Sequence, residues 1–196
     1  MANITTYQHF TGNIQLPNTA STKALGEALG DFIKQREKQF LYEFFGVTLG
    51  QLIETDITTP SGNLPYTAIK AGANYTDVAS DVQRWEGFAY NATTLVQSPI
   101  ANYVYFHFMR YMETQTSGLG EVLQQVESGT RINAAPKLAK AWNDMVDMCW
   151  LLHGYLCSVK DTYAILDDYI GFKYAPMCGI NSSNQKYFTK INAFSI

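Results

Sequence analysis

The 196-residue chain is 46% hydrophobic and 14% aromatic but only 16% charged, which excludes a disordered polymer and suits one domain with a real core. A net charge of −3 gives a polyanion little to hold, since nucleic-acid binding usually shows as a basic patch. No apolar run approaches the roughly 18 residues of a membrane span, and the opening MANITTYQHFTG lacks the basic and apolar regions of a secretory signal.

Residues 1–20 are polar and poor in helix formers, with Gly12 and Pro17. They read as an arm, or as a short edge strand over Asn13 to Leu16. Ser21 or Thr22 then offers an N-cap. Ala24, Leu25, Ala28, Leu29, Phe32 and Ile33 recur at helical spacing, and the pattern resumes at Phe40, Leu41, Phe44 and Phe45. Lys34, Arg36 and Lys38, interrupted by Glu37, read as a solvated face of that helix. Gly46 fits its stop, where a left-handed residue is needed. A short second helix over Val47 to Glu54 follows.

Residues 55–84 read as a first long connection, broken at Pro60, Gly62 and Pro65. A helix or helical turn is expected from Asp81 to Val96. Ser98-Pro99 restarts the chain, with Ser as N-cap and Pro at the first helical position. The next helix carries Ile100, Val104, Phe108 and Tyr111 on one stripe and Ala101, Tyr105 and Met112 beside it. Only Tyr103, His107, Arg110 and Thr114 form a polar edge. A helix apolar nearly all round is buried on more than one side, and one of those sides is expected to face another subunit.

Residues 115–134 form a second long connection, where EVLQQVESGTRI is a weak candidate for a hairpin about Ser128-Gly129. Ala135-Pro136 opens the last long helix. Leu138, Ala141, Trp142, Met145, Cys149, Leu152 and Leu156 mark its core face, with Lys137, Lys140, Asp144 and Asp147 opposite. Asp161 to Tyr169 reads as one more short helix, stopped by Gly171. The segment 172–196 is irregular and aromatic. The fold class expected is mainly α: a helical bundle over residues 21–171 with long loops and extended terminal arms.

The same residues offer little chemistry. His9, His107 and His153 lie in different elements, and none has a second ligand at metal spacing. His107 and Arg110, one turn apart, form either a carboxylate-holding pair or the wet edge of a buried helix. His153 reads as a core histidine bonded to a carbonyl. Gly118-Leu119-Gly120 follows a helix rather than a strand and lacks the third glycine of a dinucleotide loop. Cys149 has no neighbouring cation to activate it. Cys149 and Cys157 sit about 12 Å apart along one helix, too far for a bridge, so all three cysteines, Cys178 included, are expected to be reduced. The sequence therefore predicts no catalytic, cofactor-binding or metal-ligating residue.

One ordered series of features points to a family. A helix ends in Phe44-Phe45-Gly46 and is followed by a short helix with Leu49 and Leu52. A Tyr-bearing segment runs from Tyr66 to Tyr75. A W-x-G-aromatic step (Trp85, Gly87, Phe88) precedes an aromatic helix (Tyr103 to Arg110), a Thr/Gly loop (Gln115 to Val122) and a long final helix. This series resembles the head–tail connector, or neck adaptor, proteins of tailed bacteriophages. It is most similar to the type found in phages of Bacteroidetes, including crAss-like phages, over roughly residues 30–170.

The resemblance implies a structural virion protein that forms a ring, commonly twelve-fold, beneath the portal, with DNA passing through unread. Its partners would be copies of itself, the portal protein and the adjacent neck or tail rings, with no cofactor and no membrane. Carried onto this chain, the connections 55–84 and 115–134 make inter-ring contacts through Tyr66, Tyr75, Leu119 and Val122. Tyr103 and Tyr111 pack subunit on subunit, and Phe172 and Phe194 lie in an arm that orders on assembly. The competing readings are a stopper or tail-completion protein, an enzyme or small-ligand binder built in a helical pocket, and a helical protein–protein module without a viral role.

Overall fold

The computed structural model describes residues 4–16, 23–77, 79–89, 98–117, 120–123, 134–166, 169 and 190–192, with backbone alone for 23–28, 64, 113–117 and 120–123. Helix accounts for 70% of what is described, so the mainly helical expectation holds. Five α-helices are present among these residues: α1 (Lys23–Phe45), α2 (Val47–Thr58), α3 (Leu64–Ala71), α4 (Pro99–Glu113) and α5 (Ala135–Val159). Two antiparallel strand pairs accompany them, β1 (Ala73–Thr76) with β2 (Val82–Trp85), and β3 (Thr114–Ser117) with β4 (Gly120–Leu123).

Helix α1 ends where expected. Gly46 takes φ of +81°, a conformation that costs glycine least, and α2 starts at the next residue. Helix α2 then outruns its expected end at Glu54 by a full turn. The hydroxyls of Thr55 and Thr58 fold back onto the carbonyls of Gln51 and Glu54, which leaves these polar residues compatible with helix.

The first long connection is not a loop. Pro65, expected as a breaker, lies instead in the first turn of α3, where a missing N–H is no loss. The strand pair β1–β2 follows directly. The helix expected from Asp81 is a strand because Asp77 claims the turn: its Oδ1 accepts the N–H groups of Ala79 and Asp81, each at 2.9 Å. Residues 90–97, the rest of that expected helix, lie outside the described residues.

The Trp85-Glu86-Gly87-Phe88 step closes this unit onto α3. The indole N–H of Trp85 donates to the Ile69 carbonyl at 3.0 Å. The N–H groups of Phe88 and Ala89 both donate to the Lys70 carbonyl, at 2.9 and 2.8 Å. Gly72 and Gly87 cross backbone to backbone, each at φ of +90°. A Cβ on Gly87 would stand 2.6 Å from the Lys70 carbonyl oxygen, so no side chain fits at that crossing.

Helix α4 lies between α1 and α5. Ser98 Oγ accepts the Ile100 N–H at 3.2 Å, the expected cap. From Ile100 to Phe106 every residue of α4 is buried by the chain itself. The expectation that one side of this stretch faces another subunit is corrected: α1, α5 and the aromatic cluster of Phe40, Phe44, Phe45, Trp85 and Phe88 provide enough cover. Phe40 meets Tyr103 edge-on at 5.5 Å, and Trp85 meets Phe88 at 5.2 Å.

A second hairpin forms ahead of the one expected about Ser128-Gly129. Gln115 pairs with Val122 and Ser117 with Gly120, while 124–133 lie outside the described residues. The short helix expected over Asp161 to Tyr169 resolves, where described, into two 3₁₀ turns, Lys160–Thr162 and Ala164–Leu166.

The described part of the N-terminal arm is docked. Asn13 to Leu16 is no strand, since Gly12–Ile14 forms a 3₁₀ turn. Phe10, Ile14 and Leu16 are buried in the core. Glu37, read from sequence as part of a solvated face, is buried and accepts the N–H groups of Ile4 (3.1 Å) and Thr5 (2.8 Å). Residues 190–192 lie along α5, where the Asn143 amide exchanges two hydrogen bonds with the Ile191 backbone, at 3.0 and 2.8 Å.

Glu37→Ala removes the acceptor from two backbone donors, and each such loss costs roughly 1–3 kcal/mol before the relief of burying a carboxylate is set against it. The expected result is about 2 kcal/mol lower stability in urea unfolding and at least tenfold faster proteolysis within residues 4–16. Unchanged cleavage there would show that Phe10, Ile14 and Leu16 hold the segment alone.

Candidate functional site

The residues expected at interfaces separate into distinct environments. Tyr66, Tyr75 and Tyr103 turn inward and are buried within the chain, which corrects their expected place on a surface. Tyr75 packs edge-on against Tyr155 of α5 at 6.2 Å. Tyr103 donates to Glu43 Oε2 at 3.3 Å and lies between Phe40 and Trp142. Tyr111 remains outside, at 64% exposure. Leu119, Phe172 and Phe194 lie outside the described residues, and Val122 is placed by its backbone alone, in β4.

Exposure on α4 begins at its second half. His107 is half-buried and Arg110 and Tyr111 are exposed. Arg36 of α1 reaches this edge. Its guanidinium lies over Phe32 at 5.1 Å, and Phe32 in turn meets Phe108 at 5.3 Å and Tyr111 at 5.8 Å. Arg110 lies over Phe106 at 5.4 Å, and Phe106 packs on His107 and on Trp142. Two guanidinium groups thus lie on separate phenylalanines, and His107 feels the charge of both. Burial holds the His107 pKa down at about 4, with help from the Arg36 and Arg110 charges, so the ring is neutral at pH 7.

The other histidines are structural. His9 donates from Nε2 to the Phe88 carbonyl at 3.1 Å and accepts the Thr6 N–H at Nδ1. It ties the N-terminal segment to the W-x-G-aromatic step. Burial lowers its pKa, partly offset by its bond to Phe88. His153 is buried as expected, and it shares a 2.8 Å hydrogen bond with the Tyr169 hydroxyl, where a carbonyl was the expected partner. Burial brings its pKa to about 4.

Among the described residues no group of three or more His, Cys, Asp or Glu side chains could hold a metal ion, and no helix is long and apolar enough to cross a membrane. Cys149 is free and fully buried, which raises its pKa well above the usual thiol value. Cys157 is disulfide-bonded, which corrects the expectation that every cysteine is reduced. Helical spacing excludes only the Cys149–Cys157 pair and says nothing of a bridge made off the helix. Cys178 lies outside the described residues.

Two polar sites escaped sequence reading. One is Glu37, described above. The other is Asp56, buried at 4% exposure. Burial opposes its ionisation, but the paired Lys70 ammonium and two bonds from Ser61 outweigh that and hold the carboxyl below its usual range. It clamps the end of α2 to α3. Asp-x-x-x-x-Ser ahead of a helix was the available signal, and it is a faint one.

Comparison with protein-family models, with curated proteins and with solved structures yields no match. The arrangement is best described as a helical body with a half-open cationic and aromatic edge, and apolar side chains exposed on several elements.

Protonation sets a pH dependence. All three histidines have lowered pKa values, so their contribution is complete above the unfolded value of 6.5 and is lost as pH falls through their folded values, about 4 for His107 and His153. Asp56 acts in the same direction below the ordinary Asp range. Glu37, raised by burial, acts oppositely and stabilises most at low pH. The expected outcome is a melting temperature that falls steadily from pH 7 to pH 4, with a shallower fall in His107→Gln. A flat profile over that interval would contradict the histidine environments.

Proposed function

We propose that this chain is a structural virion protein that forms a ring in the head–tail connector of a tailed phage particle. It sits beneath the portal, next to further copies of itself, and DNA passes through the ring without being read. What carries this reading is the ordered series of elements: a helix stopped at Gly46, the Trp85-to-Phe88 step, the aromatic α4, the β3–β4 hairpin and the long α5.

Exposed apolar residues lend support. Tyr7, Val47, Leu52, Val82, Tyr111 and Trp150 are exposed, with Val82 at 77%. They lie on the N-terminal segment, α2, β2, α4 and α5. A ring subunit needs two different contact faces, one for each neighbour. Apolar side chains on more than one element meet that need, while single ones are ordinary on any surface. The subunit contact is therefore assigned to Tyr111 and its neighbours on the outer half of α4. The contact with rings above or below is assigned to the β3–β4 hairpin. The net charge of −3 suits a channel wall that does not grip passing phosphates.

The test has two arms. Gold-labelled antibody against the chain should mark purified particles at one vertex, at the junction of head and tail. Replacing residues 114–131 by a short Gly-Ser linker should keep helix content and melting temperature nearly unchanged and lower incorporation into particles at least tenfold. Particles without label, or label spread over the capsid, would overturn the proposal. Full incorporation of the linker variant would remove the hairpin from the contact.

A further inference from the structure

Arg36 and Arg110 stand out because neither guanidinium forms an ion pair among the described residues. Lys137 on α5 likewise lies over a ring, that of Tyr105, without an ion pair, but most other described basic side chains differ. Lys34, Lys38 and Lys140 each pair with an acidic residue, as do Lys70, Arg84 and Lys190 elsewhere. Arg36 uses one Nη to donate to Gln39 Oε1 at 2.6 Å. Its Nε–H is buried without an acceptor, a shortfall that ordinarily costs about 1–3 kcal/mol.

Among the described side chains the nearby carboxylate, Glu43, is engaged elsewhere. It accepts the Gln39 amide at 3.0 Å and the Tyr103 hydroxyl at 3.3 Å. Gln39 thus separates Glu43 from Arg36. Among the described side chains the edge holds two cations and one carboxylate, with a neutral imidazole near both cations. Each guanidinium lies on a phenylalanine ring, Phe32 or Phe106. Stacking of that kind fixes the plane of the fork and leaves its N–H edge for an in-plane acceptor. Exposure rises from half-buried Arg36 and His107 to open Arg110 and Tyr111, so the acceptor would enter from the Arg110 side.

We propose that Arg36, His107 and Arg110 form a carboxylate-binding site, with Tyr111 as its outer aromatic rim. A planar carboxylate suits the arginine pair, since the open Arg110 fork can take it bidentately while Arg36 adds a remaining Nη donor. A polyanion suits the site less, because the chain's overall charge repels it. The shared chemistry is the carboxylate group, whether a free small acid or a Glu or Asp side chain of a neighbouring protein carries it. Arginine, tyrosine and tryptophan together are the composition of protein-contact hot spots. The site stands whether or not the ring assignment does.

The experiment follows the Arg Nε–H resonances by NMR in the full chain at fixed ionic strength and pH 7. Three probes are titrated: glutarate, an acidic peptide of four glutamates, and inorganic phosphate. The proposal expects the Arg36 and Arg110 signals to shift saturably with glutarate. Arg110→Gln should weaken that binding at least tenfold, and Arg110→Lys should restore only part of it. Tighter binding of the peptide assigns the site to a protein partner, and tighter binding of glutarate assigns it to a free acid. Either result supports the site. Phosphate binding as tightly as both, a shift that never saturates, or an unchanged glutarate response in Arg110→Gln would overturn it. Arg110 is exposed, so its variants should keep the wild-type melting temperature and fold normally.

Discussion

The burial of α4 is the constraint on which the rest of the structure depends. A helix whose first two turns carry Ile100, Ala101, Tyr103, Val104, Tyr105 and Phe106 must be covered on all sides. Each of the larger side chains contributes about 1.5–3 kcal/mol when removed from water. The chain supplies that cover in two ways. Helices α1 and α5 flank α4, and the aromatic cluster of Phe40, Phe44, Phe45 and Phe88 fills the space about Tyr103. The described elements between α2 and α4 serve this packing. The α3 helix and the β1–β2 pair bring Trp85 and Phe88 to the core and keep them there through carbonyls of Ile69 and Lys70.

Polar residues at the margins of the core set its edges. Glu37 and His9 fasten the N-terminal segment, Asp56 fastens α2 to α3, and Asn143 fastens residues 190–192 to α5. Each is a polar side chain satisfied by backbone or by an opposite charge, as burial requires. Segments that look like loose ends in the sequence are thereby made part of the body. Only beyond Phe108 does α4 emerge, and there the cationic, aromatic edge begins. Among the described side chains, those available to a partner lie at the outer end of α4 and at isolated apolar residues elsewhere.

Helical periodicity made α1, α4 and α5 legible, along with the Gly46 stop and the Ser98 cap, because these rest on local rules. The β1–β2 pair was not legible. Its turn depends on one carboxylate, Asp77, reaching two amides, and its strands are only four residues long. Pro65 misled because a proline ends a helix from within yet begins one at its first turn. Glu37 misled because its neighbours Lys34 and Lys38 are exposed, while its partners lie 32 and 33 residues earlier. Tyr103 misled for a related reason. Its hydroxyl marks it as polar on a helical wheel, but the ring is buried and the hydroxyl reaches Glu43. Of the candidate edge, His107 and Arg110 were visible as a pair one turn apart. Arg36 was not, because it arrives from another helix.

The central claim is that this chain buries its aromatic helix by itself rather than waiting for neighbours. Amide hydrogen exchange in the dilute, monomeric protein tests it most directly. The account predicts that amides of residues 103–106 exchange only through global unfolding, at rates independent of protein concentration. Fast exchange of those amides at low concentration, slowing as copies associate, would contradict it and return the burial of α4 to the assembly.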